Sequence, residues 1–102
     1  MTLDEFKRLA DAGDSPAEGM CALLKALWLD AQGDWDGAHR LAQESPGVDG
    51  SWVHAYLHRK EGDAGNALYW YERAGRGYCG GSLQEEWGQI ARSLLGEASH
   101  GR

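Results

Sequence analysis

The segments ALWLDAQGDWDGA (residues 26–38) and AYLHRKEGDAGNA (residues 55–67) decide the fold, because they match at a constant offset of 29 residues. Each has a Gly-Asp pair near its centre, with one alanine seven residues before the glycine and another five residues after it. Small side chains let two antiparallel helices approach closely, and the glycine allows a tight turn between them. The sequence therefore predicts two similar helical hairpins, over about residues 20–45 and 49–75.

Capping boxes mark further helix starts. In each box a hydroxyl and a carboxylate three residues later satisfy two free N–H groups. The pairs are Thr2 with Glu5, Ser15 with Glu18, and Ser82 with Glu85. Apolar residues follow each start at helical spacing, and they do so again over residues 34–44, 49–61 and 63–74. We therefore expect one all-α domain, residues 1–102, built from antiparallel helical hairpins and about six helices. Capping helices are expected over about residues 2–12 and 82–96.

Composition narrows the possible partners. The chain of 102 residues is 42% hydrophobic and 25% charged, which is typical of a globular domain. Its formal net charge of −6 disfavours binding to nucleic acid or to anionic membranes. The longest apolar stretch is interrupted by Lys25, and the first residues lack the order of a signal peptide. We expect a cytoplasmic protein that needs no cofactor.

The second hairpin carries the clearest resemblance to a known family. The residues Gly62, Asp63, Ala67, Tyr71 and Ala74 resemble the tetratricopeptide repeat, and the stretch NALYWYERA (residues 66–74) looks like the second helix of its Sel1-like relative. The first hairpin departs from this pattern, with Ala42 where an aromatic residue is expected. The chain is also similar to short bacterial proteins of unknown function that carry segments like LWLDAQGDWDGAH and HAYLHRKEGD. The resemblance implies a helical-repeat module that binds a protein or a peptide.

One helical stripe is the candidate binding surface that this resemblance implies. In the repeat family the outward stripe of each first helix lines a concave groove, and here that stripe holds Trp52, Tyr56, Arg59 and Lys60. Two aromatic rings beside two cations suit a peptide carboxylate or an acidic segment. The alternative is a solvated helix face whose tryptophan and tyrosine are partly buried. Two repeats are fewer than a solenoid usually needs, so the chain could also pair with a second copy as a homodimer. A secretion-type chaperone is a further hypothesis, based on fold analogy alone.

A histidine cluster suggests a different function. His54, His58 and Glu61 share one helix face, and His39 lies on the preceding helix, which should pack nearby. Imidazoles and a carboxylate in this arrangement could bind a divalent transition metal. The alternative hypothesis is therefore a small metal-binding protein or metalloenzyme that uses these four residues. The simpler interpretation is that the histidines form hydrogen bonds between the two hairpins.

No catalytic residues can be assigned, so an enzyme is the less favoured class. The serines lie at caps or on helices, and no nucleophile elbow is present. The stretch GRGYCG (residues 75–80) matches the GxGxxG pattern, but it follows a helix and not a strand. It could hold an anion with the help of Arg76 and the helix start at Ser82. A plain connector is the simpler interpretation.

Overall fold

Six helices form the described part of the protein, which in this computed structural model comprises residues 1–14, 20–78 and 80–96. Within these ranges the chain is all-α and has no strand, as predicted. The helices are α1 (Leu3–Asp11), α2 (Ala22–Ala31), α3 (Trp35–Gln43), α4 (Gly47–Glu61), α5 (Ala64–Arg73) and α6 (Leu83–Leu95). None of the helices in these ranges has both the length and the apolar character that crossing a bilayer requires.

The turns of the two hairpins are built alike, at the offset that the sequence predicts. Gly33 has a φ of 89° and Gly62 a φ of 93°, in the left-handed region that glycine enters without strain. The next residues, Asp34 and Asp63, cap the following helix by accepting a hydrogen bond from the N–H three residues on. The backbone bonds repeat as well, with Asp34 N to Leu29 O and Asp63 N to His58 O, both 2.9 Å.

The alanines that match between the two hairpins are fully buried. Ala26 and Ala38 in the first hairpin, and Ala55 and Ala67 in the second, have no exposed surface. Helix α2 packs against α3, α4 packs against α5, and α3 joins the hairpins by packing against α4. The four small side chains that match in the sequence are therefore all buried in the structure.

The two remaining helices close the core. Helix α6 packs against α1, α2 and α4, and α1 packs against α2 and α6. The ring of Phe6 on α1 stacks on Trp87 of α6 at 5.4 Å and meets the edge of Trp28 on α2 at 5.5 Å. All three side chains are buried, and each contributes about 1.5–3 kcal/mol through the apolar surface it removes from water. The predicted capping boxes at Thr2 and Ser82 are both present.

One predicted boundary is wrong. The sequence predicted that the second helix begins near Ser15, but α2 begins at Ala22. Its N-cap residue, Cys21, is extended, with a ψ of 156°, so the helix cannot continue backwards through it. The proposed capping box of Ser15 and Glu18 lies outside the described residues.

Candidate functional site

Helix α4 carries both groups of candidate residues, on opposite faces. An α-helix turns by about 100° per residue, so Tyr56 lies about 200° from His54 around the axis. Helix α4 contacts α2, α3, α5 and α6, and every side chain from Trp52 to His58 is buried. The two faces can therefore be described separately.

Helix α6 covers the face that was expected to line a groove. Trp52 is 5% exposed and Tyr56 is 2% exposed, so the two aromatic side chains of this stripe do not face outward, whereas Lys60 is exposed. The physical reason is that α6 brings its own apolar face, including Trp87 and Ile90, into the core beside α2 and α4. The role of Trp52, Tyr56, Arg59 and Lys60 in binding a partner stays a prediction.

A buried carboxylate holds α6 against α4 and α5. Glu86 has no exposed surface and accepts hydrogen bonds from Tyr71 Oη at 2.6 and 2.7 Å and from Trp52 Nε1 at 3.1 Å. Arg59 Nη1 forms an ion pair with it at 2.9 Å, and Arg59 Nη2 donates to the carbonyl of Gly81. A buried charge needs such partners, because desolvation otherwise disfavours it strongly. Two of the predicted binding residues thus hold the fold together.

A second buried carboxylate binds the other two predicted residues. Asp30 on α2 is 3% exposed. Its carboxylate accepts a hydrogen bond from Tyr56 Oη at 2.7 Å and forms an ion pair with Lys60 Nζ at 2.8 Å. Burial, with the neighbouring charge of Asp30, raises the pKa of Tyr56 far above its usual value, so its hydroxyl stays a donor.

A cleft of about 350 Å³ opens beside this pair. Its volume lies within the range of small-ligand sites. Side chains from α1, α2, α4 and α6 line it, among them Lys7, Asp11, Asp30, Tyr56, Lys60 and Trp87. Tyr56 and Lys60 are therefore the two predicted binding residues that border an open space.

The histidines on the opposite face of α4 converge. One ring nitrogen from each of His39, His54 and His58 lies within 4.8 Å of the others. The ring centroids are 4.5 Å apart for His39 and His54, 5.1 Å for His39 and His58, and 4.8 Å for His54 and His58. Tryptophans enclose the cluster, with Trp35 stacked on His39 at 4.8 Å and Trp70 stacked on His54 at 3.9 Å. The structure thus brings together the three histidines that the sequence singled out.

The cluster has ring nitrogens without partners. His39 Nε2 is buried and has no hydrogen-bond partner among the described residues. A buried polar group left in this state costs about 1–3 kcal/mol. Burial lowers the pKa of His54 to about 4, with added repulsion from His39 and His58, and burial likewise lowers the pKa of His39. The His54 ring is therefore neutral at pH 7 and has a lone pair free to bind a cation.

Glu61 lies beside the cluster as a partner of one histidine. Its Oε2 is 2.7 Å from His58 Nδ1, which fixes the orientation of that ring. Glu61, His58 and Asp63 also offer donor atoms within 4.8 Å of one another. Asp63, however, already accepts hydrogen bonds from the backbone and side-chain nitrogens of Asn66, both at 3.2 Å. This second group is mostly exposed, whereas the three histidines lie between the helices.

The residues proposed for anion binding have other partners. The guanidinium carbon of Arg76 lies 3.4 Å from the ring centroid of Trp52, in a cation–π contact. Ser82 caps α6 by accepting a hydrogen bond from the N–H of Glu85 at 3.0 Å. No hydrogen bond joins Arg76 to Ser82 within the described residues, and Cys79 of the same loop lies outside them. Anion binding there stays a prediction.

Two buried carboxylates, Asp30 and Glu86, are the functional candidates that the sequence analysis missed. Each occupies a position within an apolar helical stripe, Asp30 between Leu27 and Ala31 and Glu86 between Leu83 and Ile90. An acidic residue on the buried stripe signals that a donor must face it, and this signal was available in the sequence.

Comparison with known proteins adds nothing further, since no protein-family model, curated protein or solved structure matches the chain.

Proposed function

We propose that the protein is a helical-repeat interaction module that binds an acidic segment or a carboxyl terminus of a partner protein at the cleft beside Tyr56. The observation that carries this proposal is the position of the cleft. It opens where the first helices of both hairpins, α2 and α4, meet α1 and α6, and it is bordered by Tyr56 and Lys60. The resemblance to tetratricopeptide repeats predicted a peptide site on this face of α4.

The chemistry of the walls suits such a ligand. Lys60 Nζ is bound to Asp30, but its side chain is 38% exposed, which leaves two further N–H donors. Lys7 is exposed on α1 and makes no ion pair within the described ranges. Lys7 and Lys60 each bring an ammonium group to the lining beside Asp11 and Asp30, while Trp87 and Ala31 offer apolar contact to the residue that carries the carboxylate.

The contacts that α6 makes with the face of α4 beside the cleft indicate the kind of partner that fits the cleft. Helix α6 lies along α2 and α4, and it places one carboxylate, Glu86, against aromatic and cationic groups of α4 and α5. The cleft extends this surface with a second set of an aromatic ring and a cation, Tyr56 and Lys60. A partner segment with an acidic residue would repeat at the cleft the contacts that α6 makes beside it.

A peptide-display selection tests the proposal. Wild-type protein should enrich peptides with an acidic residue or a free carboxyl terminus, and Lys60→Glu should weaken their binding by at least tenfold, a change of about 1.4 kcal/mol. Lys25→Glu is the matched control, because it makes the same charge change in the first turn of α2, where a carboxylate is favourable. Failure to enrich any peptide, or equal affinities for the two variants, would refute the proposed site.

A further inference from the structure

We propose that His39, His54 and His58 form a binding site for one divalent transition-metal ion such as Zn²⁺, and that the bound ion links the two hairpins. His39 belongs to α3 in the first hairpin, whereas His54 and His58 belong to α4 in the second. The inference is independent of the peptide cleft, which lies on the other face of α4.

The spacing of the rings fits a metal site. A metal bound to imidazole at about 2.0–2.1 Å lies roughly 3.2 Å from the ring centre, so tetrahedral geometry places ring centres about 5 Å apart. The three observed separations of 4.5, 4.8 and 5.1 Å lie close to this value. The donor nitrogens, now up to 4.8 Å apart, would have to approach to about 3.4 Å, and the rings of His54 and His58, now stacked at 23°, would have to turn so that their planes meet at the ion.

The type of ligand and the unused ring nitrogens suit the binding of a transition-metal cation. Imidazole nitrogens suit Zn²⁺, Cu²⁺, Ni²⁺ and Co²⁺ and are poor ligands for Mg²⁺ or Ca²⁺. His39 Nε2 is buried without a partner, and His54 makes no hydrogen bond within the described part of the chain. A core histidine that served only packing would be expected to satisfy its ring nitrogens with protein donors or acceptors. These rings instead present unused nitrogens to one another.

Glu61 acts in this site by orienting His58 and not as a direct ligand. Its carboxylate accepts from His58 Nδ1 at 2.7 Å, which leaves Nε2 of that ring as the free nitrogen. A carboxylate bound to the second nitrogen of a metal-binding histidine fixes the tautomer and raises the basicity of the donor. This proposal differs from the sequence-based hypothesis, in which Glu61 was a ligand beside the three histidines.

The experiment is a metal titration of the whole chain without an affinity tag. Zn²⁺ should raise the melting temperature of the wild type and bind with a stoichiometry of one, and a chelator should reverse both effects, since a ligand that binds only the folded state stabilises it. Co²⁺ should give the intense visible absorption of a tetrahedral site, and Cu²⁺ should show coupling to three nitrogens by electron paramagnetic resonance. The two spectra use the wild type alone, so they decide the question even where a variant fails to fold.

Variants separate this site from its neighbours. His39→Gln should lose Zn²⁺ binding, and Glu61→Gln should weaken it by about 10–100-fold. Asp63→Asn is the matched control, because it removes the same charge two residues away and should leave the affinity unchanged. Binding that is lost in Asp63→Asn but kept in His39→Gln would place the ion on the exposed group instead. An absence of binding for Zn²⁺, Co²⁺ and Cu²⁺, or binding that survives every histidine change, would overturn the proposal.

Discussion

Replacing Glu86 with alanine should lower the free energy of unfolding by about 3–5 kcal/mol, because it removes one member of a buried ion pair. The carboxylate has no exposed surface and accepts from Trp52, Tyr71 and Arg59. Arg59 is only 14% exposed, so water reaches it poorly once the carboxylate is gone. The estimate covers the loss of the ion pair together with the hydrogen bonds that the carboxylate accepts from Trp52 and Tyr71.

Such a loss is large for a domain of this size. Small domains are stable by about 5–15 kcal/mol in total, and each kilocalorie shifts the melting temperature by about 4–8 °C. The alanine variant should therefore melt at least about 12 °C lower than the wild type. Glu86→Gln keeps the shape and one acceptor oxygen but presents an amide to Arg59, so it should lose less, about 1.5–3 kcal/mol.

Urea unfolding followed by circular dichroism measures these differences in the free energy of unfolding. The comparison requires that the m-value, the slope of this free energy against urea concentration, is the same for all variants. Glu72→Ala, an exposed glutamate on α5, is the control and should stay within about 0.5 kcal/mol of the wild type. If Glu86→Ala proves as stable as this control, α6 does not dock on α4 through a buried ion pair, and the reasoning fails.

Two further predictions concern protonation and helix packing. The pKa of His54 is about 6.5 in the unfolded chain and about 4 in the folded protein. The free energy of unfolding should therefore fall as the pH drops from 6.5 to 4, because the unfolded state takes up the proton first. In His54→Gln the urea midpoint should depend less on pH. Gly50→Ala should destabilise α4, since a methyl group would clash with the Ser45 carbonyl, whereas Gly65→Ala meets open space and should raise the melting temperature, with a gain of about 0.5–1 kcal/mol. Equal melting temperatures for these two glycine variants would contradict the packing described for Gly50.

Local features of the fold could be predicted from the sequence. Gly62 and Asp63 form a turn whose geometry depends on neighbouring residues only, and the same holds for the capping box of Ser82 and Glu85. The convergence of the histidines also followed from short-range arguments, since His54 and His58 are one helical turn apart and α3 adjoins α4 in the chain.

Long-range packing could not be predicted in the same way. The groove expected beside Trp52 depends on where α6 lies. No local sequence pattern predicts that α6 (Leu83–Leu95) packs against α2 and α4. The charges offered a partial signal, because Asp30 and Glu86 interrupt apolar stripes and need buried partners. The sequence contains several cations that could serve, and only the folded chain selects Lys60 for one and Arg59 for the other.

The hydrogen bond from Trp87 Nε1 to the carbonyl of Leu27 joins residues that are 60 positions apart. During translation the first hairpin therefore leaves the ribosome long before the helix that covers it exists. A chain cut short before Leu83 would lack Glu86 and Trp87 and would expose the apolar side chains of α2 and α4 that α6 covers. Exposed apolar surface of this kind favours aggregation, so the docking of α6, and not the formation of the two hairpins alone, removes this surface from solvent.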